Sequence, residues 1–324
     1  MSLLLFSIAA ALLLYVFIYY TLFRGAKCTS QTQLRGKTAI VTGANTGIGK
    51  ATALGLAKRG ARVILACRSK ERAEAAVLDI RRESGNNQVL FMPLDLSRLQ
   101  SVRDFVETFL KTEPRLDFLI NNAGVVSPGR THEGFGMEFG VNHLGHFLLT
   151  LLLLDRLKQC APSRIVTVAS RAHLMGDIDF ALLDSTKDLV RGERNLTTDL
   201  KAYSHSKLCN VLFTRELANQ LEGSNVSCFS LHPGVIKTEI GRNLSRWFEI
   251  LITPIAALFF LDAEGGAQTT LHCVLQEGLE PLSGRYFSDC AVAQVSAKAR
   301  DDALAKKLWE VSERLSGVTA PPTE

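Results

Sequence analysis

The sequence predicts an α/β fold over residues 37–315, a single parallel sheet wound on both faces by helices, and three observations carry that prediction. Short apolar runs alternate with amphipathic stretches along the whole span. A glycine-rich turn separates the first run from the first stretch. No internal repeat or low-complexity segment interrupts the alternation. Uninterrupted apolar runs are how strands buried on both faces read, and strands that alternate with helical patterns imply parallel pairing.

Residues 1–23 read as an N-terminal membrane anchor ahead of this domain. Residues 2–23 carry no charge over 22 positions and are rich in Leu, Ile, Ala, Val and Phe. At about 1.5 Å per helical residue, such a length crosses a hydrocarbon core of about 30 Å. Tyr15, Tyr19, Tyr20 and Phe23 crowd the second half, where aromatic rings sit at headgroup level. A cleaved signal peptide needs a basic stretch before the apolar block and a small-x-small site after it, and neither is there. Arg24, Lys27, Arg35 and Lys37 follow the block and nothing basic precedes it, so the positive-inside rule puts the body in the cytosol. Residues 24–36 form a polar connector.

The first strand, 38–42, opens the domain and runs into Gly43, Ala44, Asn45, Thr46, Gly47, Ile48 and Gly49. Glycines in such a turn let the backbone approach a pyrophosphate seated on the N-terminus of the following helix, expected over 50–59. The spacing is G-x-x-x-G-x-G, one residue longer between the first two glycines than the common dinucleotide fingerprint. The remaining strands are expected at 62–67, 89–93, 118–121, 164–169 and 226–231. The helices between them are expected at 70–84, 99–112, 135–159 and 200–222, with a last one at 300–315 and a flexible tail at 316–324.

In this fold the residue that closes the second strand selects between NAD and NADP. Here it is Arg68, a planar multi-donor group suited to a 2′-phosphate, with no carboxylate beside it. NADP(H) is therefore the expected cofactor. Asp95 and Leu96 follow the third strand, beside the expected adenine pocket. Asn122, Ala123 and Gly124 follow the fourth, where small residues let the chain pass close to a flat ring. Pro233 and Gly234 end the sixth.

Tyr203-x-x-x-Lys207 carries the chemistry. Helical positions i and i+4 share a face, so phenol and ammonium can point into one cleft. A phenol with a reference pKa of about 10 is a poor base at neutral pH, and a neighbouring ammonium lowers it. Ser170 ends the fifth strand, where its hydroxyl can hold a carbonyl or hydroxyl oxygen, and Asn142 lies on the long helix after the fourth. His143, His146 and His173 lack the spacing of a metal site, and none is expected; His205 is read as structural.

Composition excludes other classes. The net charge of +5 is mild and the basic residues are scattered, so no nucleic acid is expected as a partner. Seven cysteines without clustering fit reduced thiols in a cytosol-facing domain.

The glycine turn, residues 121–124, Asn142, Ser170, the Tyr203/Lys207 pair and Pro233–Gly234 together resemble the short-chain dehydrogenase/reductase family over residues 37–315. Longer runs at 139–147, 203–217 and 283–290 are similar to its membrane-anchored retinol dehydrogenase branch. The resemblance implies a Rossmann-type fold with Tyr203 as acid/base, Lys207 lowering its pKa and binding the nicotinamide ribose, Ser170 orienting substrate and Asn142 holding a relay water. It also implies an endoplasmic-reticulum membrane, and it is compatible with a homodimer. Ser170 and Tyr203 stand 33 positions apart, wider than the branch leads one to expect, with a polar insert around 185–198. The expected function is hydride transfer between NADP(H) and an alcohol/carbonyl pair of a lipophilic substrate, retinol/retinal-like first. A steroid or other lipid carbonyl reductase and an NADP(H)-binding membrane scaffold with little turnover are the alternatives. The apolar stretch 247–261, broken by Pro254 and Glu249, is read either as a lid over such a substrate or as a core helix.

Overall fold

A computed structural model describes residues 25–193, 195–234 and 262–318. The expected anchor at 1–23 and the apolar stretch 247–261 lie outside these residues. Eight strands form one sheet in the order β3-β2-β1-β4-β5-β6-β7-β8. They are β1 Thr38–Thr42, β2 Arg62–Cys67, β3 Val89–Pro93, β4 Phe118–Asn121, β5 Ser163–Val168, β6 Val226–His232, β7 Tyr286–Ser288 and β8 Ala291–Val292. All pairings are parallel except β7 with β8. The strand order reverses between β1 and β4, which opens a crevice at their carboxyl ends, the position where such sheets bind ligands.

The helices are α1 Gly47–Lys58, α2 Lys70–Ser84, α3 Leu99–Thr112, α4 Met137–Gln159, α5 Phe180–Thr186, α6 Leu196–Gln220, α7 Ala263–Leu275 and α8 Asp302–Ser316. One face of the sheet carries α1, α2 and α7, where Val41, Leu65, Val166 and Phe229 meet Ala53, Ile80 and Val274. Gly55 lets α1 and α7 close together, since a Cβ there would stand 2.8 Å from a Leu271 methyl. The other face carries α3, α4, α6 and α8, around Phe105, Phe147, Leu148, Leu153, Phe213 and Trp309.

Several expectations are corrected by this arrangement. The first helix starts at Gly47 rather than residue 50, so that the last two glycines of the turn fall within its first turn. The long helix starts at Met137, since residue 136 bridges to Arg130 instead, and its Gly140–Leu144 segment is a π-turn. The polar insert is not all loop. It begins in the last turn of α5, a helix capped by Asp179, and ends in the first turn of α6, where Asn195 and Thr198 form a reciprocal capping box. Two short edge strands and α7 were not anticipated. Among the described residues, α4 is long and apolar enough to cross a membrane, but most of its surface is buried in the domain, as a core helix requires.

Candidate active site

The site is built at the carboxyl ends of β1, β4, β5 and β6, where the backbone turns out of the sheet. Gly43 and Gly47 both lie in the left-handed region, at φ +65° and +53°. A Cβ at Gly43 would stand 3.1 Å from Ala123, and one at Gly49 would come within 2.5 Å of the Gly43 carbonyl oxygen. Nothing lies within 4 Å of a Cβ placed on Gly47, so that side of the turn stays open. This is the shape that lets a pyrophosphate reach backbone N–H groups at a helix start. Cys67 sits beneath the turn within reach of the Ala44, Asn45 and Gly43 N–H groups, and burial pushes its thiol up to about 11.

Thr42 ties the two halves of the crevice. Its Oγ1 accepts from the N–H groups of Asn122 and Ala123, each at 2.9 Å, while Asn122 Nδ2 donates to the Thr42 carbonyl at 2.8 Å. Gly124 then passes so close to the catalytic candidates that a Cβ there would stand 3.4 Å from Lys207 Nζ and 3.6 Å from Asn142 Oδ1. Arg68 is exposed at the tip of β2 and pairs with no carboxylate among the described residues, whereas Lys50 is held by Asp79 at 2.7 Å. Asp95 directs its carboxylate at Ser97, whose N–H and hydroxyl both donate to it. Leu96 turns its side chain into the core against Gly145. Gly234 leaves β6 at φ +93° beside Pro233.

Asn142, Ser170, Tyr203 and Lys207 converge although 61 positions separate Asn142 from Tyr203. Ser170 caps the short helix Arg171–Met175, accepting from Ala172 N–H at 3.2 Å, and its hydroxyl acts on the Tyr203 phenol to favour the phenolate. Lys207, 3 % exposed, donates from Nζ to the Val168 carbonyl at 2.9 Å and lies 5.4 Å from the centre of the Tyr203 ring. Asn142 is fully buried. Its Oδ1 accepts from Val125 N–H at 2.7 Å, and its Nδ2 donates to the Val125 carbonyl and to Ser206 Oγ, both at 3.0 Å.

The electrostatics differ from expectation. Burial pushes the Tyr203 phenol above its ordinary value, opposed by the Ser170 hydrogen bond, while burial brings Lys207 down to about 8. The ammonium is aimed at a carbonyl and the ring face, not at the hydroxyl, so burial outweighs its pull on the phenol.

The histidines take separate roles. His143 bonds Ser312 at 2.8 Å, and His146 bonds Thr42 at 2.8 Å. His205 Nδ1 accepts from Asp177 N–H at 2.8 Å, which anchors the loop after Arg171–Met175. Among the described residues no group of side chains could hold a metal ion. Sequence reasoning missed Thr42, His146 and Ser206. The first two were findable, since Thr42 ends the first strand and His146 stands four residues after Asn142. Ser206 becomes a partner only because α4 and α6 cross.

Residues 37–193 match the short chain dehydrogenase family model. The chain is 56 % identical over 314 residues to dehydrogenase/reductase SDR family member 13 of Homo sapiens, covering 96 % of this chain and 82 % of that protein. It is 52 % identical over 295 residues to retinol dehydrogenase 11 of Homo sapiens, covering 90 % of this chain and 89 % of that one. A crystal structure of an uncharacterised protein from Mycobacterium paratuberculosis superposes with a TM-score of 0.73 at 34 % identity, over 92 % of this chain and 99 % of that chain. The chain is an oxidoreductase of the short-chain dehydrogenase/reductase family, with retinol dehydrogenases among its relatives.

Proposed function

We infer that this protein is a membrane-anchored, NADP(H)-dependent oxidoreductase that interconverts an alcohol and a carbonyl on a lipophilic substrate, with a retinol/retinal-like molecule first among them. The observation that carries the reading is the convergence of Ser170, Tyr203 and Lys207 at the end of β5, with Lys207 Nζ 5.4 Å from the centre of the Tyr203 ring. The open glycine turn and the exposed Arg68, free of ion pairs among the described residues, support a dinucleotide with a 2′-phosphate. Its pyrophosphate would lie on the N–H groups after Gly43, its 2′-phosphate by Arg68 and its ring by Asn122, Ala123 and Gly124. When bound, this cofactor supplies or accepts the hydride.

The chain's own residues handle the oxygen and its proton. In reduction Ser170 holds the carbonyl oxygen and Tyr203 gives it the phenolic proton; in oxidation the phenolate takes that proton from the alcohol. Lys207 swings no backbone to assist, since its ammonium already lies beside the ring, and it favours the phenolate once it leaves the Val168 carbonyl. Asn142 holds the loop at Val125 against α6 through Ser206.

A different lipid carbonyl, steroid included, is the second reading, motivated by the 33 positions between Ser170 and Tyr203. The cavity of about 560 Å³ that α5 borders with Gly129 and Arg130 is lined by none of Asn142, Ser170, Tyr203 and Lys207 and does not discriminate between the two. The test is a panel of retinoid, steroid and fatty aldehydes assayed with NADPH and NADH. Retinal reduced fastest with NADPH supports the first reading, and a steroid or fatty substrate preferred by tenfold supports the second. NADPH binding without turnover of any of them leaves a cofactor-binding scaffold and overturns both.

A further inference from the structure

His146 lies 1 % exposed on α4, between the carboxyl end of β1 and the π-turn that carries Asn142. Hydrogen-bond bookkeeping sets its tautomer. Thr42 Oγ1 already accepts two N–H groups, from Asn122 and Ala123. A hydroxyl has two lone pairs and one proton, so that proton must go to an acceptor. His146 Nε2 stands at 2.8 Å, against 3.4 Å for the Ile120 carbonyl. Nε2 is therefore the acceptor, and the ring proton sits on Nδ1, which donates to the Asn142 carbonyl at 3.2 Å.

The result is one directed chain of bonds: the N–H groups of Asn122 and Ala123 to Thr42, Thr42 to His146, and His146 to Asn142. From Asn142 it continues through Nδ2 to Ser206 Oγ, whose hydroxyl donates to the Tyr203 carbonyl at 2.8 Å. It runs from the strand ends of the crevice to the helix that carries Tyr203 and Lys207. The titratable groups that face His146 are Lys207 on α6 and His143 on its own helix, and burial, with the Lys207 charge adding to it, keeps the ring neutral.

We propose that His146 is a positioning residue for hydride transfer, which locks the Asn142 backbone to Thr42 and thereby holds the dinucleotide-side loop at 122–124 in register with Tyr203. The proposal rests on the reading under Proposed function. A π-turn is a place where a helix departs from its regular ladder, often at functional sites, and a side chain that bonds the carbonyl four residues back can hold that departure in one form. Loss of the bond lets Asn142 and the α6 acid/base drift, and a misplacement of about 1 Å can cost about a hundredfold in rate.

The test uses the full-length enzyme with four variants, His146→Leu, His146→Gln, Thr42→Val and Thr42→Ser. Histidine-selective 15N NMR of the wild type should show the His146 Nδ1–H tautomer, and Thr42→Val should disturb it while Thr42→Ser preserves it. In turnover, His146→Leu should lower kcat by about tenfold to a hundredfold with NADPH affinity within about threefold of wild type. His146→Gln, which can accept from Thr42 and donate to Asn142, should recover most of that loss. The Thr42→Val and His146→Leu losses should not add in the double variant, because they cut one chain. An Nε2–H tautomer, a folded His146→Leu with kcat within twofold of wild type, or additive losses would overturn the proposal. Should the wild type reduce no carbonyl with NADPH, the functional reading fails by itself. The tautomer and its response to Thr42→Val and to added NADPH then decide the positioning role, and an unchanged His146 signal in both overturns it.

Discussion

Lys207 donates a 2.9 Å hydrogen bond to the carbonyl of Val168, the last residue of β5, two positions before Ser170. One bond thus sets the distance between the strand that delivers Ser170 and the helix that delivers Tyr203. It also places an ammonium in a site that burial makes unfavourable for charge, since its pKa falls from 10.5 to about 8.

That cost predicts a gain in stability when the charge is removed. A lysine with a lowered native pKa destabilises the fold fully below pH of about 8, where both folded and unfolded chains are protonated. The penalty disappears as pH rises toward the unfolded value near 10.5. Lys207→Met should therefore unfold later than wild type at neutral pH, by about 1–2 kcal/mol after the lost bond to Val168 is counted. The advantage should shrink between pH 8 and 10.5, as thermal melts across that range will read. Turnover should be lost at every pH.

Tyr203→Phe should abolish turnover while NADPH affinity changes little. The ring and its packing stay, but the hydroxyl that meets Ser170 is gone. Steady-state rates and cofactor titration check this together. Residual activity above about one per cent of wild type would place the proton donor elsewhere.

Arg68→Asp should turn cofactor preference toward NAD(H). The side chain is exposed and free of ion pairs among the described residues, so replacing it disturbs no internal contact. A carboxylate there repels a 2′-phosphate and can accept from a free 2′-hydroxyl. The ratio of kcat/KM for NADPH over NADH should fall by at least about tenfold, the loss of one charge-assisted contact. Lys50 is no substitute, because Asp79 already holds it.

Arg164 should prove a larger contributor to stability than any surface ion pair. Its Nη1 donates to the carbonyls of Cys273, Val274 and Gln276 at 3.0, 3.2 and 2.7 Å, capping the end of α7, and Nη2 reaches Glu280 at 2.7 Å. Arg164→Ala leaves those carbonyls unpaired and should cost about 3–5 kcal/mol in denaturant unfolding. Glu280→Gln, at the exposed end of the same pair, should cost about 1 kcal/mol or less.

Topology is open to direct test. The full-length protein should stay with membranes through carbonate washing, yet be cut by protease added to intact microsomes, as the charge flank of residues 2–23 implies. Asn195-x-Thr197 and Asn225-x-Ser227 are glycan acceptor sequences and should stay unmodified. A glycan on either would put the body in the lumen and overturn the cytosolic orientation.

Much of this site was legible in the chain itself, and the reason is local. The glycine turn, the Tyr203/Lys207 spacing and the apolar runs of β1 to β6 are set by backbone conformation and side-chain periodicity, which neighbouring residues determine. The first three residues of α1, Gly47 to Gly49, escape the periodicity because two of them are glycines. The short strands β7 and β8 carry too few residues for a period, and α7, with Gly265 and Gly266 in its first turn, reads as weak helix; β7 exists because it pairs with β6, β8 because it pairs with β7, and α7 because it packs on α1. Tertiary structure alone decided what burial does to charge. Lys207 points at a carbonyl rather than the phenol, and the Tyr203 phenol stands above its ordinary value, because desolvation depends on every element packed around it. The bond chain from Thr42 through His146 to Asn142 and Ser206 joins residues of β1, α4 and α6, and no spacing along the chain specifies which side chains meet where helices cross a sheet.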